Sequence, residues 1–101
     1  MRYDTRQYSF LFAAGGFGDN VQLLMPSVYR VAIIFQPITS SPWGFGIRPI
    51  DAATDIVIVN ISNEPTELLY KDYGDLVRRE WWGNAPGAAT RVNVTEVYYI
   101  P

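Results

Sequence analysis

Chemistry in a protein needs groups that take up a proton, attack a carbon or hold a metal, and this sequence offers few of them. It has no histidine and no cysteine. The commonest general base and metal ligand are therefore missing, as are thiol nucleophiles, zinc–thiolate sites and disulfides. Serine and threonine are present, but no imidazole can activate them. Lys71 is the single lysine and sits in a polar turn. Two carboxylate pairs have a spacing open to acid–base work, Asp51 with Asp55 and Asp72 with Asp75. Both fall where turns are expected, and aspartate is an ordinary turn residue. The stretch Asp72-Tyr73-Gly74-Asp75 matches a calcium loop poorly. Gly15-Gly16-Phe17-Gly18 is glycine-rich but lacks the lysine and the helix of a phosphate-binding loop. Asn60-Ile61-Ser62 and Asn93-Val94-Thr95 are glycosylation sequons in or beside predicted strands, and are read as chance. The residues point to no enzyme and to no metal or other cofactor.

Binding chemistry is better represented. Aromatic residues make up 15% of the chain, more than a core this small needs. Tyr8, Phe10 and Phe12 alternate along the first strand and are candidate contact residues, together with Trp43, Trp81 and Trp82. Adjacent tryptophans in a strand point to opposite faces, so one of Trp81 and Trp82 fills the core and the other faces out. An outward indole can anchor a protein interface or stack on a sugar. Arginine outnumbers lysine, which also suits interfaces. Arg30 lies in the most apolar strand, in step with Ala32 and Ile34. Glu96 lies in the last strand, in step with Val92, Val94 and Tyr98. A charge in phase with core residues needs a partner, and a pairing of Arg30 with Glu96 supplies one for each.

The elements that must position these residues read as strands. Candidates run over 7–14, 21–25, 28–36, 45–50, 55–61, 66–70, 76–82 and 90–99, bounded by Gly, Pro, Asn and Asp. The run 55–61 is almost continuously apolar, as in a strand covered on both faces. Helix competes at 52–54 and at 72–82. Strand is preferred at 76–82 because Gly74 and the paired tryptophans suit a sheet. Eight short strands at roughly ten-residue spacing predict an all-β fold, an antiparallel β-sandwich of jelly-roll type. No helix longer than about two turns is expected.

The length of 101 residues suits one domain over 1–101, with 1–25 supplying N-terminal strands, a glycine-rich loop and oligomer contacts. A net charge of −2 argues against non-specific nucleic-acid binding. No apolar stretch has the length of a membrane span, and the start lacks a signal-peptide core. Synthesis in the cytoplasm is expected, with no membrane partner.

The stretch Pro26-Ser27-Val28-Tyr29-Arg30-Val31-Ala32-Ile33-Ile34-Phe35-Gln36 resembles the opening of small β-sandwich proteins of tailed bacteriophages. Tyr73-Gly74-Asp75-Leu76-Val77 looks like the turn into a strand in the same pattern. Val92-Asn93-Val94-Thr95-Glu96-Val97 looks like its closing strand. The resemblance covers residues 26–99 and rests on apolar spacing more than on fixed residues. It implies an auxiliary virion component of the capsid cement or decoration kind. Its implied partners are the major capsid protein or other virion proteins and its own copies, as a homotrimer. The pattern often has Asn where this chain has Pro37, and long receptor-binding loops are missing. The alternative is a carbohydrate-binding or host-recognition module using Trp43 and the outward tryptophan.

Overall fold

The computed structural model describes residues 2–12, 20–38, 43–60, 64–85 and 89–101. Eight strands form in chain order: β1 (Arg2–Phe12), β2 (Val21–Leu24), β3 (Arg30–Pro37), β4 (Trp43–Gly46), β5 (Ile58–Asn60), β6 (Thr66–Leu69), β7 (Trp81–Asn84) and β8 (Thr90–Ile100). They make two four-stranded sheets, ordered β1-β8-β3-β6 and β2-β7-β4-β5. Every neighbouring pair is antiparallel. β1 pairs with β8, β2 with β7, β3 with β6 and β4 with β5, so the chain runs as one long antiparallel ribbon wrapped into two layers. This is the jelly-roll arrangement expected from the sequence.

The core lies between the sheets. Phe12, Ile33, Phe35, Leu68, Val92 and Val94 come from the first sheet, and Leu23, Leu24, Trp43, Phe45 and Trp81 from the second. The period of two along β8 explains its half: Val92, Val94 and Glu96 are buried, while Arg91 and Asn93 are exposed. Phe35 sits at the centre of the aromatic packing. Its ring lies 4.2 Å from Phe45 and 5.8 Å from both Trp43 and Trp81.

β1 begins at Arg2 rather than at 7 and β4 at Trp43 rather than at 45, and three further sequence expectations change. Residues 76–82 do not form one strand. A single α-turn, α1 (Tyr70–Tyr73), is followed by a 3-10 turn over Gly74–Arg78, and β7 begins only at Trp81. Gly74 adopts φ +61°, which breaks the extended backbone, and Val77 is then buried from a helical turn. This also corrects the reading of 73–77 as a turn straight into a strand. Residues 55–59 are not covered on both faces. Ala53–Asp55 is a 3-10 turn, β5 is an edge strand, and Val59 is 59% exposed while Ile58 packs on the core. Thirdly, β3 starts at Arg30 and includes Pro37, with Val28 and Tyr29 in a turn. The glycine-rich loop at 15–18 and the loop at 39–42 lie outside the described residues. Among the described residues no helix is long and apolar enough to cross a membrane.

Gly46 holds a close approach. A Cβ there would press on the Asp55 carbonyl oxygen, which is backbone and has no rotamer to escape through. Gly46→Ala should therefore lower stability by about 2–3 kcal/mol, read by urea unfolding.

Candidate functional site

The two sheets are unequal, and this creates the site. β1 and β8 each span eleven residues, whereas β2, β4 and β7 span four and β5 three. The short sheet covers only one end of the β1–β8 ladder. Phe10 and Phe12 lie under it, but Asp4, Arg6 and Tyr8, on the same face, stay exposed. A cleft of about 300 Å³ opens there between β1 and the β2–β3 connection, lined by Arg6, Tyr8, Met25, Ser27, Arg30 and Glu96 among others.

At its base the structure brings Arg30 and Glu96 together. They are 1% and 5% exposed, and Arg30 Nε donates to Glu96 Oε2 at 2.9 Å. A β-bulge makes this possible. The register shifts between Arg30 and Ala32, so that Arg30 faces Tyr98 while Ala32 faces Val97 and Ile33 faces Glu96. The extra residue, Val31, turns Arg30 onto the inner face with Ile33 and Phe35. The expected alignment of Arg30 with Ala32 and Ile34 is thus replaced by the opposite phase.

Three more guanidinium N–H groups are also taken. Nη1 donates to the carbonyls of Val77 and Arg79 at 3.1 and 2.8 Å, and Nη2 donates to the Met25 carbonyl. Return bonds complete the knot: Ser27 N–H to the Arg78 carbonyl at 3.0 Å, and Arg78 Nε to the Arg30 carbonyl at 3.1 Å. The Arg78 guanidinium also lies 3.8 Å from the Tyr70 ring centre. Arg30 thereby ties β3, the β2–β3 connection and the turn before β7 into one unit.

Glu96 has both oxygens engaged, since Oε1 accepts the Tyr8 hydroxyl at 3.0 Å. Burial first, and then donation to Glu96, push the Tyr8 phenol above its usual pKa. Arg6 lies over the Tyr98 ring at 4.6 Å and 4.0 Å from Glu96, and hydrogen bonding with Tyr98 raises its pKa. A carboxylate saturated in this way anchors a network and is poorly placed to accept a substrate proton.

The other sequence candidates separate. Tyr8 is exposed at the open end and Phe10 is half-buried against the core. Phe12, Trp43 and Trp81 are buried core residues, which corrects their assignment to a contact surface. Trp81 and Trp82 do face opposite ways. Trp82 is half-buried and its Nε1 donates to Glu80 at 3.2 Å. Asp55 caps its own turn, accepting the N–H groups of Asp51 and Ala52 and pairing with Arg48 at 3.4 Å. Asp72 and Asp75 are exposed in the helical turns. Among the described residues no group of three or more metal-ligating side chains gathers.

Sequence reasoning missed Arg6, Asp4 and Arg78. The charge at every second position, Arg2, Asp4 and Arg6, was the available signal for the first two. No protein-family model, curated protein or solved structure matches the chain.

Proposed function

We propose that this protein is a structural assembly module, an auxiliary virion component that stabilises a shell by binding capsid subunits and its own copies. One observation carries the reading. The β1–β8 ladder outruns the sheet that covers it and presents an exposed sheet end rich in tyrosine and arginine. A jelly roll hosts capsid proteins, lectins and enzymes alike, so the fold alone does not choose among them. The residues do. The buried ion pair and its bonded carbonyls stiffen the base of the sheet end, as a rigid docking surface requires. The carbohydrate reading loses one ring of its platform, because Trp43 is buried, and keeps only the half-buried Trp82.

Co-sedimentation tests the proposal. The protein should pellet with assembled capsids of the virus that encodes it. The change Tyr3→Ser with Leu11→Ser, on the outer face of β1, should weaken retention by roughly tenfold and leave stability within about 1 kcal/mol. Absence of the protein from purified particles would overturn the reading.

A further inference from the structure

The longest edge of the fold is β1. Among the described residues it borders β8 on one side only, and its eleven register pairs run without a bulge. The other edges, β6, β2 and β5, are four, four and three residues long. β1 also carries no proline, so it lacks two of the devices that usually blunt an exposed edge.

The backbone bonds fix which residues of β1 face outward. Tyr99 N–H bonds to the Tyr29 carbonyl, and the Arg91 carbonyl accepts from Ile38 N–H. Odd residues of β8 therefore direct their polar groups toward β3, and even ones toward β1. Tyr98 and Glu96 lie opposite Asp4 and Arg6. Even residues of β1 thus bond to β8, and Thr5 and Gln7 direct N–H and C=O to the free edge. Thr5 agrees: its N–H is held at 2.8 Å by its neighbour's carboxylate, Asp4 Oδ1.

We infer that the edge of β1 pairs with the same edge of a second copy, antiparallel about a two-fold axis at Thr5, with Asp4 opposite the partner's Arg6. Charge selects this register over its two neighbours, and an axis at Tyr3, which sets Arg2 against Asp4, leaves a shorter ladder. Outward-facing odd residues must meet odd residues, so the axis passes through a residue of β1. An axis at Asp4 sets carboxylate against carboxylate, and one at Arg6 sets guanidinium against guanidinium. At Thr5 both Asp4–Arg6 contacts are opposite in sign, and Tyr3 meets the partner's Gln7. Even residues then form the non-hydrogen-bonded pairs, where side chains approach most closely. On pairing, Thr5 N–H exchanges the Asp4 carboxylate for a ladder carbonyl, which frees Asp4 for the partner's Arg6. The two first sheets become one continuous sheet. This deepens the assembly reading by naming one partner surface.

The ladder is short, so the dimer should form in the micromolar range. Sedimentation velocity at about 100 µM should show a dimer. Asp4→Arg, or Arg6→Asp, should weaken it roughly tenfold or more, and the exchanged double variant Asp4→Arg with Arg6→Asp should restore it. The native chain has no cysteine, so single cysteines report cleanly. Thr5→Cys should be joined into a covalent dimer by a short bismaleimide. Ser9→Cys should not, because its two copies would lie about 27 Å apart. A monomer at that concentration, or equal cross-linking at both positions, overturns the pairing. So does a trimer without the Thr5→Cys product, since a three-fold axis cannot set identical edges antiparallel. A protein that stays monomeric yet pellets with capsids overturns only this pairing and leaves the assembly reading standing.

Discussion

Replacing Arg30 with alanine should lower folding stability by about 3–5 kcal/mol. The change strands the buried Glu96 carboxylate, which keeps only Tyr8 close by and Arg6 at 4.0 Å. It also removes the donor from the carbonyls of Met25, Val77 and Arg79. An unpaired buried group bears its full desolvation penalty, so these losses reinforce one another. Glu96→Ala should be milder, because Arg30 keeps its three carbonyl partners. The double variant should fall short of the sum of the singles by more than about 1 kcal/mol, because the two residues share a direct bond. It should not return to wild-type stability, since the carbonyls remain unserved. Urea unfolding of the four proteins reads the coupling, and additivity within about 0.5 kcal/mol would sink it.

Phe35→Ala should cost about 3–5 kcal/mol as well, by a different mechanism. Phe35 is fully buried and touches the rings of Trp43, Phe45 and Trp81, three residues of the opposite sheet. Its loss leaves a cavity between sheets whose spacing is fixed by the neighbouring tryptophans, so little collapse is possible. Phe35→Leu retains most of the volume and should cost less than half as much. Guanidinium unfolding followed by tryptophan fluorescence checks both variants. A loss below about 1 kcal/mol for the alanine variant would contradict the central place given to this ring.

These two effects divide the molecule between what the chain spells out and what folding adds. Hydrophobic period is local, and it reads directly. The alternation of Val92, Val94 and Glu96 against Arg91 and Asn93 marked β8 and its buried face. Gly and Pro punctuation gave the strand count and the sandwich. The lack of histidine and cysteine removes most catalytic and metal chemistry at the level of composition. Two charges in apolar strands were visible as a conflict that one pairing resolves.

Non-local geometry did not read. The phase of Arg30 depends on a bulge in β3 where it pairs with Val97 and Tyr98 of β8. The turn at 70–78 depends on the positive φ of Gly74 and on the core pocket that receives Val77. Trp43 and Trp81 look like surface anchors in composition, but packing against Phe35 of the first sheet buries them. The exposed end of β1 follows from a difference in length between sheets that meet only in the folded state. A sequence states each residue's preference for water or for the core. Which residues obtain it is decided by how far one sheet reaches across the other.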